Sequence, residues 1–260
     1  ASDWSSDVCS SDLCSTNASG QCSVQINSNT VGANTVKAAV DAQVSTEVIH
    51  RETDSTHGSS GPASKTYVNA RINVATSGVN EVGQPHPFTA TVEQDNGSGW
   101  VKVQGALVTL TINPGVATWV DNNASSITCT TDANGVCTKS LNSTTAGSNT
   151  VNASATISVN GVSFNLTTDN DANTPSGAPA TKKYVDANIT ITATATNPVN
   201  APHTFTVTVT QFPGTATPVA TTANVTVSIN PTPTGNGINP TTCGPAVALD
   251  RKSTRLNSSH

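Results

Sequence analysis

Residues 151–166 read VNASATISVNGVSFNL, and their pattern decides the fold class. Val151, Ala153, Ala155, Ile157 and Val159 alternate with polar neighbours, and after Asn160-Gly161 the apolar set continues at Val162, Phe164 and Leu166. A period of two puts alternate side chains on one face of a strand. Asn-Gly supplies the two positive-φ residues that a tight hairpin turn needs. The same alternation runs through Ile72 and Val74, through Phe88, Ala90 and Val92, and through Val108, Leu110 and Ile112. Asp95 to Gly99 (DNGSG) reads as a further hairpin loop, and no segment keeps helical i, i+3, i+4, i+7 spacing over three turns. The expectation is an all-β chain of antiparallel, immunoglobulin-like β-sandwiches, each of roughly seven strands in about 100 residues.

Composition narrows the function classes. Of 260 residues, 43 are Thr, 35% are hydrophobic, 10% charged and 3% aromatic, with no Met. That excludes a coiled coil and a large aromatic core. The net charge of −5 argues against nucleic-acid or anionic-membrane partners. No run approaches the ~18 apolar residues of a membrane-spanning helix, so no membrane span is expected in this segment.

An internal repeat organises the chain. Tyr67 to Val74 (YVNARINV) returns 117 positions on as Tyr184 to Ile191 (YVDANITI), and Val82 to Thr89 returns as Val199 to Thr206. Cys14, Gly20 and Cys22 return 115 positions on as Cys129, Gly135 and Cys137, and Gly32, Asn34, Thr35 and Val36 as Gly147, Asn149, Thr150 and Val151. The expected organisation is the C-terminal part of one repeat over 14–57, a linker at 58–66 and a complete repeat over 67–167. A second linker at 168–183 and the N-terminal part of a third repeat over 184–249 follow.

The end segments 1–13 and 250–260 look like translated sequencing-adapter tails and are expected to lie outside the repeats.

The eight-residue spacing within Cys14–Cys22 and Cys129–Cys137 brackets polar turn sequence. Two readings compete: disulfides, or a zinc site. Zinc needs a second ligand pair that the sparse His residues do not supply, so disulfides and an oxidising, extracytoplasmic location are expected. Cys243 reads as the first cysteine of a third pair.

The run Thr131-Asp132-Ala133-Asn134-Gly135, with Leu141, Thr144-Thr145-Ala146-Gly147 and Val151-Asn152-Ala153 after it and Gly105 to Leu110 before it, resembles bacterial immunoglobulin-like domains of the invasin and intimin group. The resemblance implies tandem sandwich domains strung into a surface-exposed rod, partnered by neighbouring repeats of the same chain. The cysteine pair and the longer unit depart from that family.

Other candidates have plainer readings beside them. Asp169, Asp171 and Asn173 place oxygens at alternate positions, as calcium loops do, but Thr174 and Ala180 stand where an EF-hand has Gly and Glu. The plainer reading is a solvated polar linker, since Asp and Asn clusters mark turns and loops. Trp100 and Trp119 would serve as stacking anchors for a surface glycan or protein, or cover the ends of the core. His86 and His203, at one repeat position, read as strand-start packing residues. No Gly-x-Ser-x-Gly, Walker or His-Glu-x-x-His pattern occurs. The expected function is therefore a non-catalytic stalk or spacer of a bacterial surface or secreted protein, with no cofactor other than calcium in question. The alternatives are a carbohydrate- or surface-binding adhesin module and an accessory module of a secreted hydrolase.

Overall fold

The computed structural model describes residues 14–228, apart from 76, 170, 172, 173, 193, 199 and 200, together with 254–256. The described residues form strands and turns without helix, so the chain is all-β and antiparallel pairing dominates. It divides into two units, residues 1–69 with 95–99, and residues 70–94 with 100–260. The adapter-like tail 1–13, most of the tail 250–260, and Cys243 lie outside the described residues.

In the first unit, β1 (Gly32–Val36) pairs antiparallel with β4 (Ala63–Tyr67), and β2 (Ala39–Val44) forms a hairpin with β3 (Glu47–Glu52). Ser45 adopts φ 57° at that hairpin's turn. Most of this unit's side chains are exposed.

The second unit holds two sheets. One has the order β10-β12-β7-β5, formed by β5 (Asn69–Val74), β7 (His86–Asp95), β10 (Thr118–Trp119) and β12 (Val136–Asn142), with β8 (Trp100–Lys102) also on β7. The other runs β11-β9-β13-β15, from β9 (Leu107–Ile112), β11 (Ser126–Thr130), β13 (Gly147–Val159) and β15 (Ala180–Ile191). On its flanks, β6 (Gly78–Glu81) pairs parallel to β15, and β14 (Val162–Thr167) pairs with β13. Asn160 and Gly161 take φ 49° and 81° in the β13–β14 turn, as Asn-Gly dictates.

Both sheets bury most of the apolar set that the alternation marks, while Val162 on β14 stays 49% exposed. Phe88, Trp119 and Leu141 from the first sheet and Val108, Leu110 and Val151 from the second are fully buried. At about 25 cal/mol per Å² of apolar surface, this burial is the main force holding the sheets together.

The stretches read as linkers end in strands. Ala63 to Thr66 belong to β4, and Ala180 to Lys183 open β15, which closes the complete sandwich with Gly147 opposite Tyr184 and Val151 opposite Ala180. The first unit repeats this register, with Gly32 opposite Tyr67 and Val36 opposite Ala63. Alternation was masked here because Lys65 and Lys182 sit at the inward phase of the pattern.

β15 then continues past Val185, pairing Asp186 through Ile191 with β16 (Phe205–Phe212). The Thr192 N–H donates to the Thr206 carbonyl at 2.9 Å, as Ala75 does to Thr89 at 2.8 Å, 117 positions earlier. Two short strands, β17 (Val219–Ala220) and β18 (Thr254–Leu256), pair antiparallel with β16.

Candidate functional site

The best-built local feature is the crossover between β11 and β12. Its strands belong to different sheets, so the Cys129–Cys137 disulfide (S–S 2.09 Å) ties sheet to sheet instead of stapling a hairpin within one sheet. Asp132 organises the loop: its Oδ1 accepts from the N–H groups of Asn134 and Val136 at 2.8 and 3.1 Å. Gly135 adopts φ 67°, and a Cβ there would meet the Val92 carbonyl oxygen at 2.9 Å, so both conformation and space require glycine. Buried Thr131 fixes the entry by accepting from the Ala106 N–H and donating to the Val103 carbonyl.

The first unit builds the same loop. Cys14–Cys22 are bonded at 2.00 Å, Asn17 Oδ1 accepts from the N–H groups of Ser19 and Gln21, and Gly20 adopts φ 74°.

A second cluster lies where β6 meets β15. Tyr184 is fully buried, and its hydroxyl donates to the Leu141 carbonyl at 2.8 Å. Burial pushes its pKa up to about 12. Lys182, 1% exposed, donates from Nζ to Asn80 Oδ1 at 2.6 Å and lies 5.3 Å from the Tyr184 ring centroid. Burial holds the Lys182 pKa below that of a free lysine. Thr181 adds two hydrogen bonds, from its N–H and its hydroxyl, to Ser77 Oγ. Buried Asn149 accepts at Oδ1 from the N–H groups of Val116 and Ala117 and donates to the Lys182 carbonyl. His86 borders this cluster with a buried Nε2 that has no hydrogen-bond partner among the described residues. Burial, and then the charge of Lys182, hold the His86 pKa below its ordinary value.

Thr181 and Lys182 escaped sequence reading because 168–183 looked like a spacer. The usable signal was the alternation of Ala180, Lys182 and Tyr184, repeated as Ala63, Lys65 and Tyr67.

The tryptophans do not converge on one surface. Trp119, on edge strand β10, is fully buried edge-on against Phe88 at 6.4 Å, and its indole N–H donates to the Ser125 carbonyl. It presents no face to a glycan, which corrects its candidacy as a stacking anchor: an indole that fills the core cannot also meet solvent. Trp100 is half-buried, with the Arg71 guanidinium 4.1 Å above its ring. Arg71 and Lys102 both bind Glu93, at 2.6 and 2.9 Å. Burial alone would raise the Glu93 pKa, but the hydrogen bonds from Arg71 and Lys102 hold it below the usual carboxylate range.

Two of the calcium candidates, Asp169 and Asp171, are hydrogen-bonded to each other. Asp169 Oδ1 accepts from the Asp171 N–H at 3.0 Å and from the Thr174 hydroxyl at 3.1 Å; Asn173 lies outside the described residues. Among the described residues no group of three or more His, Cys, Asp or Glu side chains is placed to hold a metal ion, and no helix is long and apolar enough to cross a membrane.

No protein-family model matches the chain, and no curated protein matches it.

Proposed function

We propose that this chain is a non-catalytic, load-bearing segment of a bacterial surface or secreted repeat protein, a stalk of immunoglobulin-like sandwiches in series. The observation that carries the reading is β15. Its residues 180–184 close one sandwich against β13, and residues 186–191 open the next ladder against β16, with only Val185 between them. A strand shared in this way leaves no slack spacer at the junction.

The pairing of β6 with β15 supports the same reading. β6 stands near the start of the sandwich, β15 ends it, and the two run parallel, with Lys182 opposite Gly78 and Val185 opposite Glu81. Tension applied to the two ends of the repeat pulls parallel strands in opposite directions along one axis. The ladder is then loaded in shear, and its hydrogen bonds share the load. The Val82 N–H to Val185 carbonyl bond (3.0 Å) and the Lys182–Asn80 bond extend the clamp. The strand orders β10-β12-β7-β5 and β11-β9-β13-β15-β6 support the immunoglobulin-like assignment. Two disulfides favour an oxidising, extracellular setting.

Single-molecule stretching of the full chain between its ends tests the reading. The second unit should rupture in a discrete high-force event. Val82→Pro, which removes the N–H donated to Val185, should lower that force. Extension without resistance, or a force indifferent to Val82→Pro, would refute the load-bearing role.

A further inference from the structure

Lys182 is a buried amine with a neutral partner. It is 1% exposed, and among the described residues no carboxylate pairs with it. An ammonium without a counter-ion is costly in such a place, and burial accordingly holds the Lys182 pKa below that of a free lysine. An uncharged lysine amine is a nucleophile. Its Nζ donates to the Asn80 carboxamide oxygen at 2.6 Å. Asn80 Cγ lies one C=O bond further, at most about 3.8 Å from Nζ. A small turn of the carboxamide reaches the ~3–3.5 Å of a near-attack contact.

The strand register brings a third group to this pair. Lys182 stands opposite Gly78 in the parallel β6–β15 ladder. A methyl group on Gly78 would lie 3.4 Å from Lys182 Nζ and 3.5 Å from His86 Nε2, so the amine and the imidazole border one small space. His86 Nε2 is buried there without a hydrogen-bond partner among the described residues, and Phe88 packs edge-on against the ring at 5.2 Å. Burial favours the neutral ring, which can accept a proton. Asn80 Nδ2 donates to the carbonyl of exposed Gln84 at 3.4 Å, so the nitrogen that would leave faces the surface. The three residue types recur at one offset of 117: Lys65 with Lys182, Asn80 with Asn197, and His86 with His203. His203 Nε2 is likewise buried without a partner among the described residues.

We propose that Lys182 and Asn80 close an intramolecular amide, a covalent cross-link between β15 and β6. The lone pair of Nζ attacks Cγ and the Nζ–Cγ bond forms. The Cγ–Nδ2 bond then breaks, and Nδ2 leaves as ammonia. His86 Nε2 takes one proton from the attacking amine and returns it to the departing nitrogen, so the imidazole ends as it began. The reaction is an acyl transfer without change of oxidation state and needs no other reactant. A closed amide carries tension past the parallel ladder, so the stretching test of the stalk is then read on Lys182→Met, where hydrogen bonds alone bear the load. The cross-link and the stalk can therefore fail separately.

Mass spectrometry of the full chain, folded and then reduced, tests it. The intact mass should fall below that of the sequence by one ammonia. Trypsin should yield peptide 72–102 joined to 140–183, because an acylated Lys182 is not cut. Lys182→Met, which replaces the amine with an apolar chain of similar size, and Asn80→Ala should both keep the full mass. His86→Leu should slow closure by about 100-fold or more; closure at the wild-type rate would overturn the relay role of His86. A folded wild-type chain at full mass would overturn the cross-link. So would ammonia loss without the joined peptide, which places the loss at another asparagine, or ammonia loss that persists in Lys182→Met.

Discussion

The N-terminal unit and the complete sandwich use the same local devices with different outcomes. Each has a Cys-x7-Cys disulfide loop organised by an Asx side chain, a Gly at positive φ, a Ser hydroxyl donating to the carbonyl two residues on (Ser28 to Thr30, Ser143 to Thr145), and a Tyr hydroxyl donating to a backbone carbonyl (Tyr67 to Ile26, Tyr184 to Leu141). Both units form these arrangements, the disulfide loops and Ser bonds within a few residues and the Tyr bonds across 41 and 43 residues. Burial is different. Leu141 is sealed in a two-sheet core while its counterpart Ile26 is half exposed. Hydrogen-bonded scaffolding therefore forms in both units, whereas, among the described residues, buried apolar side chains are found in the second unit alone.

The largest test of that contrast is Leu141→Ala. Emptying a fully buried leucine site costs about 2–5 kcal/mol, so the cooperative melting transition of the second unit should fall steeply, followed by tryptophan fluorescence. Ile26→Ala, at a half-exposed site, should shift melting by less than about 0.5 kcal/mol. Equal effects from the two substitutions would mean that the N-terminal half has a core of its own.

Next come the disulfides. Replacing Cys129 and Cys137 with Ala releases a short loop and should destabilise by about 2–3 kcal/mol in the chain-entropy model. Replacing Cys14 and Cys22 should leave the cooperative transition of the second unit unchanged, because that loop lies in the other unit. Calorimetry of the two double variants separates the cases.

Much of this fold is legible in the sequence, and the failures have definite causes. The strands around Phe88, Leu110 and Val151 announce themselves by alternation, because their inward positions are all apolar. The closing strand Ala180–Tyr184 does not, because Lys182 occupies an inward position and is tolerated only through its bond to Asn80, a residue 102 positions away. The same limit applies to Trp119: composition gives an amphipathic ring, and only the packing against Phe88 decides that it faces inward. The crossover character of the cysteine loop was likewise hidden, since a turn between two strands reads the same whether they share a sheet or not. Long-range partners, and not propensity, separate what was read from what was missed.

The smallest effect concerns pH, and the two units should respond with opposite sign. His86 is held below its ordinary pKa of 6.5 by burial and by Lys182. Between its folded and unfolded values the unfolded chain binds more protons, so its contribution to stability is complete above pH 6.5 and declines as pH falls below it. One proton bounds that slope at about 1.4 kcal/mol per pH unit. Glu93, held below its ordinary 4.5 because its two cationic partners outweigh burial, acts in the same direction, but only at pH values below about 4.5. In the first unit, His50 is raised above 6.5 by its hydrogen bond to Asp41 at 2.6 Å. Its contribution is complete below 6.5 and lost as pH rises through the folded value, and full exposure keeps it small. Denaturant melts of the second unit from pH 7 to 5 should therefore show falling stability. His86→Leu should flatten that limb and raise stability at pH 5, since it removes a buried nitrogen that lacks a partner. A limb that survives His86→Leu unchanged would show that His86 does not carry the acid response.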